Sequence, residues 1–281
     1  MPVRITKFQE MKQMGERIPC ITAYDYPTAK LADAAGIPLI LVGDSLGNVV
    51  LGFGSTVHVT MDDMVRHTQA VVRGTREALI VADMPFMSYQ ASPEDAVRNA
   101  GILIQEAGAH AVKLEGGEFI TEAVGRITNA GIPVLGHLGL TPQSVNQLGG
   151  YRVQGRTLPQ AQKLLDDAVE LEAAGVFGIV LESVPGPLAE VVTKRLRVPT
   201  IGIGAGAGCD GQIQVLHDLL GLSDRVPKHA KQYANLNQVI EEAIAAYMGD
   251  VRDGDFPTDE HTAQIDDAVL REFMGDVAAD R

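Results

Sequence analysis

Four times in this chain a helical stretch closes on nearly the same phrase: Ala-Gly-Ile-Pro at 35–38, Ala-Gly-Ala-His at 107–110, Ala-Gly-Ile-Pro at 130–133 and Ala-Gly-Val-Phe at 174–177. Each places Gly where a helix needs a left-handed residue before the chain turns into a new strand. Short apolar runs at 19–23, 38–42, 79–82, 111–114, 133–137, 177–181 and 200–203, with a weaker eighth around 213–216, read as those strands. Amphipathic stretches at 28–35, 61–76, 93–107, 120–130, 158–174 and 188–195 read as helices. Two helix starts carry their own signals: Thr60 ahead of Asp62 and Asp63, and Ser92 ahead of Pro93, Glu94 and Asp95. The strands are continuous apolar runs, not alternating ones, which predicts a parallel sheet covered on both faces.

About eight such units in 281 residues favour a closed (β/α)8 TIM barrel. The alternative is an open doubly wound sheet, which carries a Gly-rich fingerprint after an early strand. Residues 43–47 imitate one only weakly, and the glycines of 202–208 are too dense for one. The stretch at 6–14 reads as an extra N-terminal helix, suited if exposed to contact between subunits. From about Gly249 the chain is an acidic tail with Asp250, Asp253, Asp255, Asp259 and Glu260 around a helical patch at 265–274. The expected organisation is one barrel domain over 1–249 and an acidic C-terminal extension over 250–281, which either packs on another element or subunit or stays solvated.

Composition excludes several classes. Lys+Arg number 23 against 36 Asp+Glu, a formal charge of −13, so the chain would repel a nucleic acid. A hydrophobic content of 46% is enough to bury a core. Cys20 and Cys209 show no metal-ligand spacing and read as free thiols. The opening residues, Met1-Pro2-Val3-Arg4-Ile5-Thr6-Lys7, show no apolar signal core, and no apolar run approaches the ~20 residues of a membrane span. These features point to a cytoplasmic protein without membrane partners.

In a barrel, chemistry sits where strands end at the C-terminal face. The ends here carry Asp44 and Ser45, then Asp83, then Lys113 and Glu115, then His137, then Glu182. Four carboxylates, a lysine and a histidine therefore meet on one rim. Any one of them could be a structural ion pair, and Lys113 with Glu115, two residues apart, could simply pair with each other. Four acids together need a cation to hold them. Carboxylates without clustered Cys, and with a single His, suit Mg²⁺ over Zn²⁺. Such a site fits a chelated 2-oxo acid, with Lys113 as countercharge and the isolated Glu182 as base. His137, between glycines at a strand end, takes a supporting place near the substrate. His58, His67, His110, His217, His229 and His261 read as surface or capping residues.

With these residues in view, the chain resembles the ketopantoate hydroxymethyltransferases. The resemblance rests on Thr22-Ala23-Tyr24-Asp25, Val42-Gly43-Asp44-Ser45-Leu46-Gly47, Asp83-Met84-Pro85-Phe86, Val112-Lys113-Leu114-Glu115-Gly116-Gly117, Gly136-His137-Leu138-Gly139-Leu140-Thr141-Pro142-Gln143 and Ile201-Gly202-Ile203-Gly204-Ala205-Gly206, and spans residues 6 to about 247. It implies a barrel related to the phosphoenolpyruvate mutase and isocitrate lyase group. It implies transfer of a one-carbon unit from 5,10-methylenetetrahydrofolate to 3-methyl-2-oxobutanoate, giving 2-dehydropantoate on the route to pantothenate and coenzyme A. Carried onto this chain, it makes Asp44 and Asp83 ligands of Mg²⁺ as well as substrate contacts. Glu115 becomes the third acidic group, directly or through water; Ser45 and Lys113 contact substrate, and Glu182 accepts the proton. It also implies a homo-oligomer, a decamer of two five-membered rings. The acidic tail is the least typical part.

Two competing readings remain. A Mg²⁺-dependent lyase or mutase of the related barrels tends to need a cysteine-bearing or strongly basic gating loop, and none lies between Lys113 and Leu138. A barrel kept only as an assembly scaffold would have lost its carboxylates, and all four are present.

Overall fold

The four recurrent glycines turn the chain as their position demands: Gly36, Gly108, Gly131 and Gly175 have φ of 82°, 80°, 87° and 100°. The computed structural model describes residues 3–223 and 226–279. Its strands are β1 (Ile18–Thr22), β2 (Leu39–Val42), β3 (Leu79–Asp83), β4 (Ala111–Glu115), β5 (Val134–Gly139), β6 (Gly178–Glu182), β7 (Thr200–Ile203) and β8 (Gly211–Gln214). Every neighbouring pair is parallel and β8 returns to β1, so the sheet closes into a barrel in sequence order and the open sheet is excluded.

The helices are α1 (Ile5–Met14), α2 (Tyr26–Ala34), α3 (Leu46–Val49), α4 (Met61–Gly74), α5 (Pro93–Gln105), α6 (Thr121–Asn129), α7 (Val145–Leu148), α8 (Leu158–Ala173), α9 (Gly186–Arg195), α10 (Leu216–Leu220), α11 (Leu236–Asp253) and α12 (Asp267–Ala279). The anticipated starts are capped. Thr60 accepts from the Asp63 backbone N–H at 3.2 Å while Asp63 accepts from the Thr60 N–H at 3.0 Å, and Ser92 accepts from the Asp95 N–H at 3.1 Å. The coating helices bury one helical stripe each: Met64, Thr68 and Val71 on α4, Ala96, Ala100 and Leu103 on α5, Leu164, Ala168 and Leu171 on α8.

Alternation along each strand makes two cores. Outward residues such as Ile40, Ile80, Val112, Leu114, Ile179 and Leu181 pack against the helices. Inward residues such as Leu39, Leu41, Leu79, Val81, Leu135, Val180 and Ile213 fill the barrel. Phe8 and Met11 of α1 belong to that inner core and are 1% and 9% exposed. The apolar side of the N-terminal helix, which would suit subunit contact if exposed, is instead packed inside the chain at Phe8 and Met11. At roughly 1.5–3 kcal/mol for each large apolar side chain buried, the helix gains more there than in water.

No helix stands between β7 and β8; the 204–210 segment makes that crossover alone. Packing divides the chain into two compact units, residues 1–233 and 234–281. The composition shift at 249/250 thus falls inside α11, because a change in charge does not mark a change in packing. Within the second unit α11 buries no side chain, and the anticipated patch at 265–274 overlaps α12.

Candidate active site

The inner face of the barrel changes character as the strands rise. On β3 Leu79 and Val81 are followed by Asp83; on β4 Ala111 is followed by Lys113 and Glu115; on β5 Leu135 is followed by His137; on β6 Val180 is followed by Glu182. The parallel register sets Asp83 beside Lys113 and Glu115 beside His137. Asp44 and Ser45 lie in the turn between β2 and α3. All six of Asp44, Asp83, Lys113, Glu115, His137 and Glu182 join one network, and Ser45 borders it through a 2.8 Å hydrogen bond with Tyr24 Oη.

Lys113 Nζ donates to Asp83 Oδ1 at 2.5 Å and lies 3.7 Å from Glu115 Oε1. Asp83 is thus its main partner, and the pairing with Glu115 open from the sequence is secondary. Asp83 Oδ2 also accepts the Asp44 backbone N–H at 2.9 Å. His137 bridges two acids, with Nδ1 3.2 Å from Glu115 Oε1 and Nε2 3.3 Å from Glu182 Oε2. The second contact is an ion pair without hydrogen-bond alignment. Glu182 has a side chain 16% exposed, against 4% or less for Lys113, Asp83, Glu115 and His137. Of these five, it is the one that meets solvent.

The charges follow from this geometry. Burial, then Asp83 and Glu115, drives the Asp44 pKa well above the ordinary carboxylate value. Burial also raises Asp83, against the opposing pull of Lys113. Burial would raise Glu115 too, but His137 and Lys113 outweigh it and hold it low. For Lys113 burial is overcome by Asp83, Glu115 and Asp44, which raise it. For His137 burial is overcome by Glu115 and Glu182, which lift it to about 9, so the ring is an imidazolium at neutral pH.

With all four ionised, the acids would outnumber the Lys113 and His137 cations by two, and the raised Asp44 and Asp83 register that unmet charge, which one divalent cation would balance. The donors are oxygens, the chemistry of a hard ion. Among the described residues no three His, Cys, Asp or Glu side chains already converge on one point, since Asp83 is engaged by Lys113 and Asp44 by Gln143. Donor type and charge fit a divalent cation held by Asp44, Asp83 and Glu115.

Backbone geometry places Glu182. Gly139, opposite Glu182 in the register, has φ 92°, and a Cβ there would collide with the Glu182 carbonyl oxygen. Leu140 N–H donates to that same carbonyl at 2.8 Å. Ser183, next in the chain, takes φ 49°, with its N–H held by Ile203 O at 2.9 Å.

Two buried residues in this network were not assigned from sequence. Gln143 is 4% exposed and Tyr89 is 3% exposed, and Tyr89 Oη donates to Gln143 Oε1 at 2.7 Å. Neither carries a charge or a spacing that marks it, although Gln143 closes the 136–143 motif on which the resemblance rests. The remaining histidines do structural work where contacts are seen: His110 Nδ1 accepts from the Ile80 N–H at 3.0 Å, and His67 Nδ1 lies 2.6 Å from Tyr24 O. Cys20 and Cys209 are free, buried thiols. An open groove of about 920 Å³ runs past Arg17–Pro19 and the 204–212 segment and is lined by none of the four carboxylates, Lys113 or His137. Buried, mutually compensating charge marks the chemistry better than open volume does.

A closed parallel barrel with this charged rim at its C-terminal face defines an enzyme of the (β/α)8 class. Its fold is similar to that of 2,3-dimethylmalate lyase, a PEP mutase/isocitrate lyase superfamily member, with TM-score 0.58 and 16% identity over 100% of both chains. It is similar too to phosphonopyruvate hydrolase in complex with oxalate and Mg²⁺, with TM-score 0.59 and 13% identity over 99% and 98% of the chains. A model of the family ketopantoate hydroxymethyltransferase matches residues 2–259. The 3-methyl-2-oxobutanoate hydroxymethyltransferase of Chloroflexus aurantiacus is 59% identical over 276 residues, 98% of either chain. That of Moorella thermoacetica is 60% identical over 261 residues, 92% of this chain and 97% of its own. The chain belongs to the ketopantoate hydroxymethyltransferase family. Among the described residues no helix is long and apolar enough to cross a membrane.

Proposed function

We propose that this chain transfers a hydroxymethyl group from 5,10-methylenetetrahydrofolate to 3-methyl-2-oxobutanoate, forming 2-dehydropantoate in the cytoplasm. The observation that carries the reading is the buried rim of Asp44, Asp83 and Glu115 with the half-buried Glu182 beside it, balanced only in part by Lys113 and His137. Asp44, Asp83 and Glu115 would hold Mg²⁺. When bound, that cation polarises the keto group of the 2-oxo acid and offsets the negative charge that develops on deprotonation.

The chain's own residues do the rest. Ser45 and Lys113 bind the 2-oxo acid, Lys113 as a buried, permanently charged donor. Glu182, on the solvent-facing side of the network, takes the proton from C3. The His137 imidazolium between Glu115 and Glu182 keeps the base oriented and its ionised form balanced. Water adds to the methylene carbon of the opened folate iminium and its C–N bond breaks, releasing tetrahydrofolate and formaldehyde; the activated C3 then adds to the formaldehyde carbon, and the resulting alkoxide takes a proton to give the hydroxymethyl product. The chemistry belongs to the barrel, with the acidic extension accessory to it. Family analogy places the chain in a homo-oligomer, a decamer.

The test is a product assay with both substrates, run with Mg²⁺ and again with EDTA. Formation of 2-dehydropantoate only in the presence of the metal is the expected result. No product with Mg²⁺ overturns the reading.

A further inference from the structure

Gln143 has no part in the scheme above, yet it reaches two of the three carboxylates assigned to the cation. Its side-chain amide donates to Asp44 Oδ2 at 2.9 Å and to Met84 O at 3.0 Å. Its Oε1 accepts from Tyr89 Oη at 2.7 Å and from Gln90 Nε2 at 3.2 Å. Its backbone N–H donates to Glu115 Oε2 at 3.1 Å. Met84 O and the Asp44 carboxylate only accept, so reversing the amide would set oxygen against oxygen at both contacts; the orientation has one solution.

We infer that Gln143 is a positioning residue for the cation site, a neutral clamp that holds Asp44 through its side chain and Glu115 through its backbone. The inference rests on the metal reading of the same site. The clamp's neutrality matters. Lys113 holds Asp83 by supplying a charge that competes with a cation, whereas an amide fixes a carboxylate and leaves its charge for the metal. Tyr89 sets the clamp: its hydroxyl occupies Oε1 and so turns the NH₂ toward Asp44.

The experiment measures binding of Mn²⁺, a spectroscopic substitute for Mg²⁺, by electron paramagnetic resonance, with 3-methyl-2-oxobutanoate present and no folate. Loss of one charge-assisted hydrogen bond in Gln143→Ala should weaken Mn²⁺ binding about tenfold. Tyr89→Phe, which keeps the ring and loses only the hydroxyl, should weaken it in the same direction by less. In turnover assays the metal concentration for half-maximal rate should rise in both variants while kcat at saturating metal changes much less. Unchanged Mn²⁺ affinity in Gln143→Ala overturns the inference. So does a metal-free Gln143→Ala that loses thermal stability while Tyr89→Phe binds Mn²⁺ like the wild type, since Gln143 is then only a tie between loops. If the wild type itself binds no Mn²⁺, the metal reading falls and the clamp with it.

Discussion

The lower and upper layers of the barrel interior are built by the same strands with the same inward alternation, yet they hold opposite kinds of side chain. Below, Leu79, Val81, Leu135 and Val180 interdigitate above Phe8 and Met11. Above, the next inward positions are Asp83, Lys113, Glu115, His137 and Glu182. A charge in the lower layer would have only apolar neighbours, and an unpaired buried ion costs several kcal/mol. In the upper layer each charge is met by another one strand away. The lower layer secures the barrel's stability; the upper one spends part of it to hold charges where a substrate can reach them.

This contrast can be broken at either layer. Glu182→Gln should cut exchange of the C3 proton of 3-methyl-2-oxobutanoate into D₂O by roughly a thousandfold, the worth of a positioned base, while substrate still binds and the fold is unchanged. Undiminished exchange, read by proton NMR, would remove Glu182 from its role. Leu135→Ala, one alternation below His137, should lower unfolding free energy by about 3 kcal/mol in denaturant titrations, with kcat retained at temperatures where the variant stays folded. A loss of kcat as large as that of Glu182→Gln would show that the two layers are not separable.

Asp83→Asn keeps the shape and removes the charge facing Lys113. It should weaken metal-dependent binding of the 2-oxo acid roughly thirtyfold, near 2 kcal/mol, in calorimetry. Equal affinity with and without the carboxylate would count against a cation at this rim. The smallest effect lies outside the barrel. Asp33 accepts the backbone N–H groups of Arg76, Glu77 and Ala78 at 3.0, 2.9 and 2.8 Å. Burial would raise its pKa, but those three donors outweigh it and hold it below the ordinary 3.8. A depressed carboxylate stabilises the fold above its unfolded value and loses that contribution as pH falls through the folded one. Asp33→Asn should therefore cost on the order of 1 kcal/mol at neutral pH after solvent screening, and the difference from wild type should shrink only once the pH drops below the ordinary 3.8 and vanish below the depressed folded value. A difference that persists to lower pH would mean packing, not charge, is lost.

Much of this was legible in the chain, and the exceptions have physical causes. Apolar runs and Ala-Gly junctions located β2, β3 and β7 almost to the residue, because a doubly covered strand leaves a continuous apolar signature. The eighth strand was displaced, expected at 213–216 and found at Gly211–Gln214. Gly211, Gln212 and Gln214 do not look like a buried strand, and the segment is one because β7 and β1 flank it. The four-residue α3 and α7 are too short to show a helical period. Residues of the site were legible where charge interrupted an apolar run, as at Lys113 and Glu115. Gln143 and Tyr89 were not, since a neutral amide or phenol declares its burial only through its partners.

By itself, the order of residues determined the alternation of strand and helix, the number of such units and the set of charged groups at the strand ends. Those are local properties of period, capping and glycine placement. The tertiary structure decided which charges meet. Parallel register sets Asp83 against Lys113 and Glu115 against His137, and a loop from the end of β5 brings Gln143 onto Asp44. Pairing across strands depends on distances between segments far apart in the chain, and no local pattern carries that information.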